Sequence, residues 1–242
     1  DLSLSQNMED LQKGSFIVTG GLGGLGLVTA RLLADLGVPK IILISRSGCI
    51  QQADQELLVL LKEIKQKAQV ELVACDVSKE EDMRKLFRQQ YLQGQPCVGI
   101  VHAAGVLRDG LAANIKEDQV QQVINPKISG ASLLHRHTLL QPLHVCIMFS
   151  SIAALFGNAG QSAYSAANTY LDALATQRQT QGLPTVSVQW PAISGVGMWE
   201  SLSDAQKKAT SFTLPVDDVL QLLSDLISKV PVPDSNLSLN PK

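Results

Sequence analysis

The sequence predicts an α/β chain with a doubly wound parallel sheet, and three observations carry that expectation. Short apolar runs alternate with segments of helical periodicity along most of the chain. That is the pattern of βα units that build a parallel sheet with helices on both faces. The first apolar run, Ser15–Val18, is followed at once by T-G-G-L-G-G-L-G, Thr19–Gly26, and then by a helical stretch; strand, glycine loop and helix form the context of a dinucleotide fingerprint. The 242 residues, 45% of them apolar, suffice for a single domain with an ample core. The expected division is a lead-in linker over 1–13, the domain over 14–230 and a C-terminal linker over 231–242.

Each element follows in order. Residues 1–13 are polar and read as a lead-in helix or linker, and Ser15–Val18 is the first strand. Gly21, Gly23 and Gly26 satisfy G-x-G-x-x-G. Such a loop lets backbone approach a pyrophosphate and aims the free N–H groups of a helix N-terminus at the anion. Thr19, Gly20, Gly21, Leu22, Gly23, Gly24, Leu25 and Gly26 are therefore candidate cofactor contacts. Leu25–Leu36 reads as a helix closed by Gly37. The second strand, Ile41–Ile44, ends in Ser45-Arg46-Ser47. Arg46 lies twenty residues after Gly26, where an acidic residue would hold the adenosine ribose of NAD. An arginine with two flanking hydroxyls suits a 2′-phosphate, hence NADPH; a solvated arginine at a strand end is the plainer alternative.

Gln51–Ala68 has helical spacing. The third strand, Val70–Ala74, runs into Cys75-Asp76-Val77. Asp76, with Val77 beside it, is a candidate partner for an adenine amino group, or else a cap for the helix that runs through Tyr91, for which Ser78 is the better cap. The fourth strand, Val98–Val101, leads into His102-Ala103-Ala104-Gly105. These small residues would let backbone lie against a cofactor; His102 itself reads more readily as structural than as a catalyst. Lys116–Leu140 is a long helix expected to be interrupted at Pro126 and Gly130, and Lys127, taken alone, is a surface lysine.

The fifth strand, Val145–Phe149, ends in Ser150 and Ser151. After a short loop, Tyr164, Ala167, Leu171, Leu174 and Ala175 recur at helical spacing as far as Gly182, with Pro184 just beyond, as a helix stop requires. A strand that delivers a serine and a helix that delivers a tyrosine can aim two hydroxyls into one cleft. One can hold a carbonyl while the other gives it a proton. A phenol has a free pKa of about 10, so it needs a nearby cation to exchange protons readily at neutral pH. Thr185–Trp190 is the sixth strand, Ser194–Gly197 a flexible loop, and Ser203–Ser211 and Val216–Lys229 are helical. The tail from Pro231 to Lys242 reads as linker.

Composition narrows the function classes. A formal net charge of -2 gives no electrostatic case for nucleic acid or an anionic membrane. The N-terminus has no hydrophobic signal region, and no apolar run is long enough to span a bilayer. Cys49, Cys75, Cys97 and Cys146 are scattered without metal or redox spacing, which suits reduced, mostly buried residues in a cytoplasmic protein and calls for no metal. Because the first residue is Asp1, the chain is expected to be excised from something longer.

On T-G-G-L-G-G-L-G, the H-A-A-G of 102–105, N-P-K at 125–127 and F-S-S…G-Q-S-A-Y-S-A-A-N, the chain resembles the short-chain dehydrogenase/reductase superfamily. More narrowly, it resembles the ketoreductase domain of a polyketide synthase, from about Gly14 to about Lys229. Ordinary members of the superfamily carry Tyr-x-x-x-Lys, but here the fourth residue after Tyr164 is Asn168. Ketoreductase domains of polyketide and animal fatty acid synthases make that exchange and take their lysine from the helix before the serine strand. Lys127 matches it, 24 residues before Ser151, which is itself 13 residues before Tyr164.

The resemblance thus implies Lys127, Ser151, Tyr164 and Asn168 as catalytic residues and reduction of a β-ketoacyl thioester on an acyl carrier protein. Lys127 would lower the Tyr164 pKa. It also implies an N-terminal structural subdomain and neighbouring synthase domains as partners. Its substrate groove would include Leu107, Asp109, Phe156, Gln161 and Trp190. Two departures stand out. Pro191 replaces the usual glycine after the tryptophan, and Leu107-Arg108-Asp109 replaces the L-D-D triplet of one product class. The retained Asp109 leads to the expectation of a D-configured alcohol. A free-standing reductase and a catalytically silent scaffold are the alternatives.

Overall fold

The computed structural model describes residues 9, 11–94, 96–197, 199, 203, 204, 207 and 212–229. The linker expected at 231–242, and most of the lead-in and of the helix expected over 203–211, lie outside the described residues.

The elements alternate as the sequence pattern requires: β1 (Ser15–Thr19), α1 (Gly24–Asp35), β2 (Lys40–Ser45), α2 (Gln55–Lys67), β3 (Gln69–Ala74), α3 (Glu80–Leu92) and β4 (Cys97–His102). The second half continues with α4 (Glu117–Ile124), a π-helical turn (Asn125–Ser129), α5 (Gly130–Thr138), β5 (Val145–Ser151), α6 (Ala153–Phe156), α7 (Ser162–Thr180), β6 (Thr185–Trp190), β7 (Ala192–Ser194), β8 (Thr213–Pro215) and α8 (Val216–Lys229). Six strands form one sheet in the order β3-β2-β1-β4-β5-β6, every neighbouring pair parallel. This is the doubly wound fold that the sequence predicts. Among the described residues no helix is long and apolar enough to cross a membrane.

Alternation along the central strands feeds two cores. Phe16, Val18, Ile41, Leu43, Ile147 and Phe149 pack with α1, α2 and α8, while Ile17, Ile42, Ile44, Ile100, Cys146 and Met148 pack with α3, α5 and α7. A strand covered on both faces has little room for polar side chains, so its chemistry is displaced to its carboxyl end. The strand order reverses between β1 and β4, and at such a switch point a crevice opens beyond the strand ends.

Three local expectations are corrected. Helix α2 begins at Gln55, after a turn in which the Asp54 N–H donates to the Gln51 carbonyl. Ser78 does not cap α3: its hydroxyl and N–H both bond Asp76 Oδ1, at 2.7 and 3.0 Å, and Lys79 takes the cap position. The helix around Lys127 is not broken. Pro126 has no N–H to donate, and the chain widens into one π turn before continuing as α5. Gly130 serves close packing rather than a break, since a Cβ there would stand 2.8 Å from Val77 Cγ2.

Candidate active site

The crevice is a long cleft of ≈ 2010 Å³. One wall is the glycine loop. Gly20 takes φ +65, its carbonyl accepts the Gly23 N–H at 3.0 Å, and a Cβ on Gly26 would stand 2.3 Å from the Gly20 oxygen. Only glycine fits those two positions. Helix α1 therefore starts directly at the cleft, with no side-chain cap and no acidic residue in its first turn, leaving N–H groups and the positive end of the helix dipole for an anion. Leu22, Gly23, Gly24, Leu25, Gly20 and Gly26 line the cleft. Thr19, Gly21 and His102 are buried behind it.

Those buried residues hold the loop in place. Thr19 Oγ1 stands 2.7 Å from His102 Nδ1 and accepts the Ala104 N–H at 3.1 Å. Burial first, then the charge on Lys127, drive the His102 pKa down to about 3, so the imidazole is neutral. His102 is thus a clamp between β1 and the exit of β4.

Ser45, Arg46 and Ser47 lie at the next strand end along the wall, in a turn where Ser45 Oγ accepts the Gly48 N–H at 3.0 Å. Arg46 is exposed. Asp76 and Val77 also line the cleft, although one Asp76 oxygen is already occupied by Ser78. Ala103, Ala104 and Gly105 form the floor. Gly105 also makes room for Lys127, whose Cε would lie 3.0 Å from an added Cβ.

The other wall is polar and buried. The π turn carries Lys127 inward; the residue is 4% exposed, and Nζ donates to the Phe149 carbonyl at 2.7 Å. The same amine lies 5.5 Å from the Tyr164 ring centroid, within cation–π range. Burial lowers the Lys127 pKa to about 7, with the charge of Asp172 opposing. Ser151 lines the cleft at the end of β5, its Oγ accepting the Ala153 N–H at 3.2 Å. Tyr164, in the first turn of α7, faces it. Burial raises the phenol pKa, and the Asn168 and Ser151 side chains, as hydrogen-bond partners, pull it back down. The expectation that Lys127 holds the Tyr164 pKa low is therefore corrected: burial dominates both groups, and the phenol stays protonated at neutral pH.

Asn168 is buried beneath Tyr164 rather than in the cleft wall. Its Nδ2 donates to the Tyr164 carbonyl at 2.8 Å, and its own carbonyl accepts the Ser150 hydroxyl at 3.3 Å. The Ser150 hydroxyl is thus engaged by α7, whereas Ser151, beside it in the cleft lining, bonds the start of α6.

At the far end, Leu107, Asp109, Phe156, Gln161 and Trp190 all line the cleft. Gln161 Nε2 donates to Asp109 Oδ2 at 3.0 Å and the Gly110 N–H donates to the Gly160 carbonyl at 2.9 Å, fastening the loop after β4 to the loop before α7. Arg108 turns away, donating to Gln122 Oε1 at 2.8 Å. Trp190 is buried edge-on against Phe149, whereas Phe156 is 78% exposed. Pro191 leads into β7, and the following Gly195–Gly197 loop lies against the glycine loop, so that a Cβ on Gly24 would stand 2.7 Å from the Gly197 nitrogen. Sequence reasoning missed this contact. Its one signal was G-V-G at 195–197, whose two glycines both take positive φ.

The comparisons agree with this architecture. The model of the KR domain family matches residues 14–195. The chain is 41% identical over 199 residues to phthioceranic/hydroxyphthioceranic acid synthase of Mycobacterium tuberculosis, covering 81% of this chain and 9% of that protein. It is 36% identical over 196 residues to mellein synthase of Phaeosphaeria nodorum, covering 77% and 11%. Among solved structures, an A1-type ketoreductase superposes with TM-score 0.81 at 30% identity, over 92% of this chain and 47% of that one. The ketoreductase from the first module of phoslactomycin biosynthesis in a Streptomyces species gives TM-score 0.80 at 35% identity, over 92% and 51%. The chain belongs to the ketoreductase (KR) domains of polyketide synthases, an NAD(P)H-using oxidoreductase family of the short-chain dehydrogenase/reductase type. It spans about half the length of those solved ketoreductases and about a tenth of the synthases.

Proposed function

We propose that this chain reduces a carrier-bound β-ketoacyl thioester to the β-hydroxyacyl thioester with NADPH, as the ketoreduction step of a cytoplasmic polyketide synthase or fatty acid synthase-like assembly. The observation that carries the reading is Lys127, buried 5.5 Å from the Tyr164 ring, in the same cleft as the glycine loop.

The residues present fit a dinucleotide. The uncapped start of α1 and the glycine loop suit a pyrophosphate, Arg46 suits a 2′-phosphate, and Asp76 and Ala103–Gly105 lie where the cleft continues. When bound, the reduced nicotinamide supplies the hydride. Tyr164 holds its proton at neutral pH and gives it to the carbonyl oxygen, so the carbonyl becomes C–H and O–H. Ser151 donates a hydrogen bond to that oxygen as negative charge develops on it. Lys127, a cation behind the phenol, offsets the charge left on Tyr164 and can pass on the replacement proton. Asn168 fixes the first turns of α7, and with them the phenol.

The catalytic unit spans 14–230, flanked by linkers. The partners are an acyl carrier protein with its phosphopantetheine arm, the structural half found in longer ketoreductases, and neighbouring synthase domains. The Asp109–Gln161 fastening supports a groove that admits the arm from one side and gives the D-hydroxy product; chiral chromatography yielding mainly the L alcohol would overturn that part. The reading as a whole is tested by following NADPH absorbance with a β-ketoacyl thioester. Turnover is expected; NADPH binding without turnover of any β-ketoacyl thioester would favour the silent scaffold.

A further inference from the structure

Arg178, near the end of α7, is 0% exposed. Among the described residues no carboxylate lies within ion-pair distance of it. Neutral acceptors from two other elements hold its charge instead. Nε donates to Thr185 Oγ1 of β6 at 2.7 Å, and Nη1 donates to His135 Nδ1 and Thr138 Oγ1 of α5 at 3.0 and 3.4 Å. Nη2 is buried with no partner among the described residues, so each remaining bond counts for more. A guanidinium only donates, and it stays charged at any pH the fold meets. His135 must therefore present a lone pair at Nδ1, which only the neutral ring has. Thr138 is not so constrained: its hydroxyl donates to the Leu134 carbonyl at 2.7 Å, and its oxygen accepts at any pH.

His135 is half-buried, so protons reach it. A proton on Nδ1 turns the acceptor into a donor and sets two cations 3.0 Å apart. The surroundings offer no relief. β5 places Cys146 beside Arg178, and burial pushes that thiol up, so it carries no charge. β6 contributes the Thr185 hydroxyl. On α5 itself, Arg136 and His137 turn to Glu80 of α3, at 2.7 and 3.0 Å. We propose that His135 and Arg178 form a pH-sensitive latch between α5 and α7, closed while the imidazole is neutral and released when it takes a proton. Helix α5 continues from the π turn of Lys127 and α7 carries Tyr164, so the latch joins the two helices that bring amine and phenol together. Burial first, then the charge on Arg178, lower the His135 pKa from 6.5, the direction this geometry requires. The unfolded chain then binds the proton first, so the stability from this residue is complete above pH 6.5 and is lost as the pH falls from there toward the folded value. The latch stands on these contacts, whatever reaction the cleft performs.

Two measurements on the whole chain test it. In an NMR titration the His135 ring should show a midpoint below 6.5, and the Arg178 Nε–H resonance should move with that same midpoint. In thermal melts from about pH 8 to about pH 5, wild type should be compared with His135→Asn, which sets a carbonyl that does not titrate in this range near the Nδ1 position. The variant should lose less melting temperature on acidification than wild type, because the buried His102 contributes alike to both. A His135 midpoint at or above 6.5 overturns the proposal. So does an Arg178 resonance that does not follow the ring, or a difference in melting temperature that stays constant with pH. If His135→Asn does not fold, the titration of the wild-type chain decides alone.

Discussion

The wall of the cleft formed by β1, α1 and β2 is made of backbone, whereas the wall formed by the π turn, β5 and α7 is made of buried side chains. On the first wall the decisive contacts are a positive φ at Gly20, a missing Cβ at Gly26 and the uncapped N–H groups of α1. On the second they are an amine and two hydroxyls from three separate elements, with the Asn168 amide buried beneath them. Backbone dipoles aimed at solvent need no proton equilibrium and serve to hold a charged ligand. Buried ionisable groups have shifted pKa values, as those of Lys127 and Tyr164 are, and serve to move protons. The two walls should therefore fail in different ways when altered.

The largest effect belongs to the polar wall. Tyr164→Phe should lose ~10²–10⁴-fold in turnover, the usual cost of removing a general acid, while NADPH affinity measured by fluorescence stays near wild type. Equal loss of binding would mean that the walls are not separable.

Stability should also depend on pH through the same wall. The Lys127 amine titrates at about 7 in the fold and at its ordinary 10.5 when unfolded. Between those values the unfolded chain binds more protons, so the contribution of this residue to stability rises with pH. Lys127→Met should therefore stabilise the protein most below pH 7, by on the order of a few kcal/mol, with the gain fading toward pH 10.5 in thermal melts. A gain independent of pH would indicate packing rather than charge burial.

Smaller effects probe the backbone wall. Arg46→Ala should weaken NADPH by ~1.5–3 kcal/mol, the value of a charge-assisted contact, and NADH far less; equal weakening in calorimetry would remove Arg46 from the 2′-phosphate site. Gly26→Ala should cost ~1–3 kcal/mol of stability by overpacking, along with nucleotide binding. Gly23→Ala, whose Cβ would come no nearer than 3.4 Å to the Gly20 oxygen, should be tolerated in the fold.

The same difference explains what was legible in the sequence. The backbone wall is local: strand, glycine loop and helix lie within a few dozen consecutive residues, and the motif announces them. Alternating apolar runs gave all six strands of the main sheet within a few residues of their observed ends. The polar wall is assembled from residues far apart in sequence. Lys127 looked like a surface lysine, and only the resemblance paired it with Tyr164. The π turn that swings it inward depends on Pro126 lacking an N–H within an otherwise continuous helix, where composition suggested a break. Whether His102 stands at the cleft surface or behind its floor is decided by its bond to Thr19 across two strands, and no local pattern encodes that bond. The short β7–β8 pairing was not legible, since three-residue strands carry no period, and the loop resting on Gly24 left only G-V-G at 195–197 as a signal.

In the proposed reaction the amine from the π turn supplies the cation for the phenol on α7. Single-turnover reduction of a β-ketoacyl thioester by Lys127→Ala with bound NADPH tests it most directly. The expected result is a rate loss approaching that of Tyr164→Phe, with NADPH still bound and a changed pH profile. A variant that reduces the thioester at the wild-type rate across the pH range would contradict it.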